Sequence, residues 1–329
     1  MSANIGCSAQ PESRRAPWLS VVMPTHKGEL WIDATLASLA AQDEAGMEVV
    51  LVDSSPTSAT LDIARRYADR LDLRLYERKD MLPWPAKVNF AVAEARAPFV
   101  SILHQDDIWL DGRAAKIRGL IGKNPEAALF LHAAAIIDGD GRVLGALTCP
   151  LPAENMPVSK DLLIERLIVQ NFVAMPAPTF RRDVFLDAGG MDEKRWYTAD
   201  WDLYLKLALA GSVFYSADIL AGFRIHGGSL TISGSRSIDD FRSQHEIVLD
   251  RHASRIPTER RERILRMARA SIAVNVALAQ AAHGEHARLV TAAIAILRLG
   301  PIGALRYLRF SRLVERVAPR LRARFAGRL

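Results

Sequence analysis

FVSILHQDDIWL, residues 99–110, decides how the chain is read. Phe99 to Leu103 are apolar or small and run straight into His104, Gln105, Asp106 and Asp107. A short apolar run of this kind reads as a buried strand. Open α/β sheets bind ligands at the carboxyl ends of their strands, which is where the two carboxylates fall. Carboxylates and an imidazole beside such a crevice suit a divalent cation, and a cation there suits a phosphate-bearing substrate. The blander alternative is an acidic turn in which Asp106 and Asp107 cap a following helix, Gly112–Ile121.

Working outward, apolar strands alternate with helical stripes. Trp18–Met23 is a first strand, followed by the loop Pro24-Thr25-His26-Lys27-Gly28 and a helix carrying Ile32, Leu36 and Leu39. Glu48–Val52 ends in Asp53, and a second helix carries Leu61, Ala64 and Ala68. Leu73–Tyr76 is a third strand, a loop holds Trp84, and a third helix runs from about Ala86 to Ala95. Such alternation implies a mostly parallel sheet with helices on both faces. No GxGxxG follows the first strand and no GxxxxGK[ST] occurs, so neither a dinucleotide fold of that kind nor a P-loop is indicated. Further on, Asp138-Gly139-Asp140-Gly141-Arg142 between two apolar runs signals a hairpin. Ser159 opens a helix, Pro176–Phe180 is a strand, Thr198–Leu209 is a helix, and Ile219–Ile225 leads into His226. Beyond residue 235 the pattern is helical only. The expected layout is a flexible leader over 1–17, an α/β domain over 18–235, and a helical region with a basic amphipathic tail over 236–329.

Bulk composition narrows the classes. The chain has 329 residues, half of them hydrophobic and a quarter charged, which is ordinary for a globular protein. Two cysteines give neither a disulfide framework nor a thiolate metal site and suit a reducing cytoplasm. Arg14 and Arg15 are followed by no apolar core of a cleaved signal, and no uninterrupted apolar run reaches spanning length. The net charge of +6 is concentrated from Arg298 onward, where nine arginines face one acid, Glu315. A nucleic-acid partner is therefore not expected. A basic amphipathic segment over 299–329 suits peripheral contact with an anionic membrane, a phosphorylated acceptor, or a homodimer contact.

Taken together, the segments resemble the family 2 inverting glycosyltransferases of the GT-A fold over roughly residues 18–230. The resemblance rests on SVVMPTH (20–26), VVLVDSS (49–55), AKVNFAVAEARAPFVSILHQDDIW (86–109), GGMDEKRWYTADWDLYLKLALAG (189–211) and FRIHGGSLT (223–231), in that order. It implies transfer of a sugar from a nucleoside diphosphate sugar, UDP- or dTDP-linked, to a hydroxyl of a glycan or lipid-linked acceptor, as in cell-surface polysaccharide synthesis.

The resemblance also assigns roles. Asp106 matches the last aspartate of the family's metal motif, with His226 as second ligand of Mn²⁺ or Mg²⁺. Asp200 matches the general base, and its place in the first turn of a helix would help keep it ionised. Donor contacts fall to Pro24, Thr25, Asp53, Lys87, Asn89, His104, Asp107 and Arg224, with Asp53 on the nucleobase. Trp84, Trp201 and Asp202 are acceptor-side candidates. Each has a plain structural alternative: a solvated helix face for Lys87, a loop-stabilising role for His226, turn capping for Asp53, a simple helix-start acid for Asp200, core or rim for the tryptophans. Two positions depart from the family pattern. His104 stands where the motif usually begins with a carboxylate, which would tilt the site toward Mn²⁺, and Ala199 stands where a glutamate often precedes the base. The former motivates a rival reading, a catalytically silent nucleotide-sugar binding or scaffold protein. A nucleotidyltransferase is disfavoured by the lack of a glycine-rich segment after the first strand.

Overall fold

A computed structural model of the chain describes residues 16–152, 157–229, 234–235 and 237–325. Residues 1–15 of the expected leader, and the end of the last motif at 230–231, lie outside the described residues.

The N-terminal half is the expected βαβ alternation. β1 (Leu19–Thr25) pairs in parallel with β2 (Met47–Asp53) on one side and β4 (Phe99–Ile102) on the other, and β2 pairs in parallel with β3 (Asp72–Glu77). Successive side chains on a strand point to opposite faces, and the cores follow that rule. Val22, Val50, Val100 and Ile102 pack with Val88 and Val92 of α3 (Trp84–Glu94). Val21, Met23, Val49 and Leu51 pack on the other face against Ile32, Leu36 and Leu39 of α1 (Ile32–Ala40) and Leu61 of α2 (Ala59–Arg65). Each such side chain contributes about 1.5–3 kcal/mol when fully removed from water. Helices thus cover both faces.

The other half of the sheet is mixed. Among the described residues it has nine strands in the order β3-β2-β1-β4-β8-β6-β9-β5, with β7 also on β6. β6 (Leu129–Ile137) and β7 (Val143–Leu147) form the expected antiparallel hairpin, β8 (Thr179–Arg181) runs antiparallel to β4, and β9 (Val213–Arg224) lies parallel to β6. β5 (Ile108–Trp109) is too short to show a period and exists because it pairs with β9. Helix α4 (Arg113–Lys123) is preceded by Gly112 in a left-handed conformation. Neither Asp106 nor Asp107 caps it, so the acidic-turn alternative does not hold.

The first strand to reverse the direction of sheet growth is β4. Strands 1, 2 and 3 extend one way, and the chain then returns to place β4 on the far side of β1. Register brings Thr25 beside Asp53 and Val22 beside Ile102, so the β1, β2 and β4 ends form one rim. Ligand crevices form at such a switch point.

Helices α5 (Lys160–Val169), α6 (Arg182–Asp187) and α7 (Ala199–Ala210) follow in the middle, and the helical region closes the rim from the side. α8 (Ile238–His252) and the long α9 (Thr258–Ala282) are amphipathic, with Met267, Ile272 and Val276 of α9 buried. The remainder comprises α10 (Leu289–Leu297), α11 (Gly300–Ser311) and α12 (Leu313–Phe325), so the basic amphipathic tail is folded as two helices. Arg312 adopts φ 50°, which ends α11 and turns α12 back toward β7. Among the described residues no single helix is long and apolar enough to cross a membrane, although α10 with its preceding turn and α11 pass together as a pair bent by 114°.

Candidate active site

A cavity of about 1460 Å³ opens over the rim. Its walls include Pro24, Thr25, Trp84, Lys87, His104, Asp106, Asp107, Asp200, Trp201, Arg224 and His226, so most of the expected residues converge on one space. Asp53, Asn89 and Asp202 do not line it.

The floor is the loop after β1. Thr25 Oγ1 donates to Asp53 Oδ1 at 2.7 Å, and Ser55 donates to the same carboxylate from Oγ at 2.8 Å and from its backbone N–H at 3.2 Å. Asp53 is fully buried. Its carboxylate joins the ends of β1 and β2 beneath the cavity. Lys87 is likewise not on a solvated face: it is 2% exposed, and Nζ donates to Thr25 O at 2.7 Å and Ser54 Oγ at 2.8 Å. Burial pushes its pKa down to about 8, with Asp53 opposing the shift. The ammonium is therefore mostly charged at neutral pH and held beneath the loop. Asn89 faces the other way. It accepts from the Met191 N–H at 2.8 Å and donates to Met191 O at 3.0 Å, clamping the turn after Gly190. Gly190 sits at φ +62°, and a Cβ there would lie 2.7 Å from Asn89 Oδ1, so the clamp needs glycine.

The expected metal pair is real as a geometric pair. His226 Nε2 and Asp106 Oδ2 share a hydrogen bond of 2.9 Å. Burial alone would raise the Asp106 pKa, but His226 and the nearby His104 outweigh it and hold the carboxyl low. Asp107 is different. It is 2% exposed, its Oδ1 accepts the Arg224 N–H at 2.8 Å, and burial together with the Asp106 charge drives its pKa well up. Asp107 is thus a buried anchor for β9 at the cavity wall. Arg224 donates from Nε to Asp106 O and from Nη1 to Asp138 O and Gly139 O, and its guanidinium lies 4.7 Å from the Trp31 ring. Carbonyls and an indole fix its place, and the Asp107 and Asp106 carboxylates lie within electrostatic reach. His104 packs edge-on to Trp84 at 5.0 Å, and its Nε2 is a buried nitrogen without a protein partner. Burial lowers its pKa, which keeps the imidazole neutral and able to donate or accept toward the cavity.

Among the described residues no group of three His, Cys, Asp or Glu side chains is arranged to hold an ion. Asp106 and His226 supply two donors of a type that suits Mn²⁺, and diphosphate oxygens commonly complete such a shell. The donor set fits an ion brought in with a diphosphate.

Asp200, the second residue of α7, also lines the cavity. Asn171 Nδ2 donates to its Oδ2 at 2.9 Å and the Trp201 N–H to its Oδ1 at 2.8 Å. Burial raises the Asp200 pKa to about 6 and exceeds the lowering by these two hydrogen bonds. The expectation that its helix position keeps it readily ionised is therefore reversed: burial wins. Trp201 is 4% exposed and donates from Nε1 to Leu167 O at 2.7 Å, a core residue touching the wall. Asp202 is fully buried among His252, Arg251 and Lys206, at 2.8, 3.0 and 3.1 Å, which outweigh its burial and hold its carboxyl well below the usual range. One residue beyond Trp201 on a helix, it points away from the cavity. Only Trp84, hydrogen-bonded to Trp196 O at 2.7 Å, remains a rim aromatic.

Three contributors were assigned no role from the sequence. Gln105 accepts the His26 N–H at 2.8 Å and donates to His26 O at 3.1 Å, tying the β1 loop to the β4 end. Asn171 orients Asp200. Trp31 lies 5.3 Å from the His226 ring as well as over Arg224. A polar Gln170-Asn171 pair inside an apolar stretch was the only sequence signal for the second of these.

Comparison with known proteins agrees with this geometry. The Glycosyl transferase family 2 profile matches residues 20–185, half of the chain. An uncharacterised glycosyltransferase of Rickettsia prowazekii is 21% identical over 232 residues, 69% of this chain and 70% of that one. Two solved structures share the fold. One is Staphylococcus aureus TarS 1–349 in complex with UDP-GlcNAc (TM-score 0.53, 19% identity, 88% of this chain and 89% of that one). The other is a mannosyltransferase from Pyrobaculum calidifontis in complex with GDP-Man and Mn²⁺ (TM-score 0.56, 18% identity, 93% of this chain and 82% of that one). The chain spans about half, 54%, of the longer TarS structure. The fold is of the GT-A type, and the chain belongs to glycosyl transferase family 2.

Proposed function

We propose that the protein is a metal-dependent, inverting glycosyltransferase that moves a sugar from a nucleoside diphosphate sugar to a hydroxyl of a glycan or lipid-linked acceptor. The observation that carries the reading is the single cavity lined by Asp200 together with Asp106, His226 and Lys87. Lys87 and Arg224 place fixed positive charge where a leaving diphosphate accumulates negative charge. A divalent ion held by Asp106 and His226 would neutralise that charge further. Asp200 takes the acceptor proton. The acceptor oxygen forms its bond to the anomeric carbon from the face opposite the diphosphate, whose bond to that carbon breaks and keeps the electron pair. A base with a pKa near 6 matches general-base work at neutral pH.

Asp53 is hydrogen-bonded to Thr25 and Ser55, and the two structural neighbours were captured with different bases. The panel that tests the proposal therefore includes UDP-, dTDP- and GDP-sugars, with Mn²⁺, Mg²⁺ or chelator, on wild type and Asp200→Asn. Turnover of one donor only with metal, lost in a variant that still binds that donor, is expected. Binding without turnover in both proteins, even with crude lipid and glycan extracts as acceptor, would leave a silent nucleotide-sugar binder.

A further inference from the structure

The far end of the same cavity is closed by α12, and the face α12 presents is basic. Arg316, Arg320 and Arg324 recur every four residues on that helix, hence along one side, and all three line the cavity. The opposite side is fixed. Glu315 Oε2 accepts from Thr148 N–H at 2.9 Å and Oγ1 at 3.0 Å. Ala323 is fully buried with Ile136, Leu144 and Ile225, and Arg322 donates to Leu144 O at 2.7 Å. Pro319 lies so close to Gly145 that a Cβ on the glycine would meet its ring at 2.9 Å. These contacts fix the rotation of the helix about its axis.

Those arginines face neutral groups. Arg316 Nη2 donates to Asn275 Oδ1 at 2.9 Å, while its Nη1 is buried without a partner. Arg320 donates to the Arg316 carbonyl and remains open to the cavity. The titratable groups across from them are Tyr197, whose pKa burial raises, and His245, pushed down by burial to about 4, so both are uncharged at neutral pH. Among the described residues no carboxylate forms an ion pair with Arg316 or Arg320. Arg316 and Arg320 are one helical turn apart with no counter-ion between them, so their like charges repel. Guanidinium groups so placed match the planar fork geometry of phosphate or carboxylate.

Lys87 and Arg224 are held at the β1 loop and by the Asp106, Asp138 and Gly139 carbonyls, whereas Arg316 is held by Asn275 of α9, so the arginines of α12 are anchored on a different element from the donor-side cations. Tyr197 is the link, within electrostatic reach of Asp200 and of both arginines. We propose that Arg316 and Arg320 form a subsite for an anionic group, a phosphate in the first instance, carried by the acceptor whose hydroxyl meets Asp200. This rests on the transferase reading above and adds the chemical class of the acceptor.

The test is calorimetric binding of glycerol 3-phosphate and geranyl monophosphate, each against its own alcohol, with the nucleoside diphosphate that the wild type binds held saturating. The expected result is at least one phosphate binding about tenfold or more tighter than its alcohol. Sulfate should displace that phosphate and leave the alcohol. In Arg316→Gln/Arg320→Gln the advantage should fall below about threefold with nucleotide affinity unchanged. Arg316→Lys/Arg320→Lys, which keeps the charge, should retain part of it. Preference for geranyl phosphate identifies a lipid phosphate, and preference for glycerol phosphate a polyol phosphate. Equal binding of phosphates and alcohols by a protein that binds nucleotide overturns the subsite and leaves the transferase reading standing. Loss of nucleotide affinity in the folded Gln variant overturns it too, by returning the arginines to the donor. A wild type that binds no nucleotide removes both.

Discussion

Asn171 donates to Asp200 Oδ2 at 2.9 Å across the end of α5, while the Trp201 N–H holds the other oxygen at 2.8 Å. The carboxylate is thereby oriented from both sides, yet burial still keeps its pKa at about 6. Orientation and a raised pKa together make a base that is positioned and poised.

Asp200→Asn should lower kcat by about 10²–10⁴ with donor affinity retained. It should also change how stability depends on pH. Between the ordinary carboxyl pKa and about 6 the folded state binds more protons than the unfolded chain, so wild-type stability falls as pH rises through that window. Asn removes the ionisation while setting its Nδ2 against a donor, so the diagnostic is the trend and not the offset. Thermal melts of both proteins through that window should show the Tm difference moving in the variant's favour as pH rises, and a pH-independent difference would contradict the burial argument.

The pH–rate profile should rise with a midpoint near pH 6 and level off above it, since the base works only when ionised. Asn171→Ala removes a hydrogen bond that favours the ionised form. The acid limb should then move up by about one unit. A profile that stays in place would mean that Asn171 does not act through Asp200.

Lys87→Met should weaken nucleotide binding by about tenfold, because it deletes a charge fixed under the donor loop. Lys87→Arg should not restore it. The slot is sized for one ammonium between Thr25 O and Ser54 Oγ, and a planar fork cannot occupy it. Calorimetry with nucleoside diphosphate decides; full rescue by arginine would show that only charge matters.

Asp106→Asn and His226→Ala should each raise the Mn²⁺ concentration for half-maximal turnover by about tenfold or more. Chelator should silence the wild type, and excess Mn²⁺ should bring it back. Equal turnover with chelator would remove the metal role.

On the outer side of α10 and α11, Leu297, Ile302 and Leu305 are 75%, 69% and 71% exposed, beside the exposed Arg298, Arg306 and Arg309. This combination suits an anionic bilayer surface. Deleting residues 299–329 is a poor test, since Tyr307 and Ala323 are fully buried. Leu297→Ser/Ile302→Ser/Leu305→Ser should abolish sedimentation with anionic liposomes and leave nucleotide binding intact. A wild-type dimer that this variant converts to monomer would instead make the patch a subunit contact.

Local sequence determined the elements and the rim. Alternation along β1, β2 and β4 sets two apolar faces, helical stripes cover them, and a run that ends in His104 to Asp107 must deliver those residues to the switch point. Asp106 was legible as a rim residue for that reason, whereas Lys87 and Asp200 were pointed to only by the resemblance to the family. Tertiary structure decided which polar residues the crevice keeps. Asp53, Asp107 and Asp202 carry the same carboxylate as Asp106 and Asp200, and only their neighbours distinguish them. Ser55 and Thr25 saturate the first, the Arg224 backbone pins the second, and His252, Arg251 and Lys206 enclose the third. None of those neighbours except Ser55 lies within four residues of its partner by anything but helical spacing. The same holds for α12, whose arginines read as a solvated basic tail until Arg312 turns the helix back and Pro319 seats it on β7. Periodicity reports which side of an element is apolar. Which polar group meets which depends on long-range packing, and burial then fixes its charge.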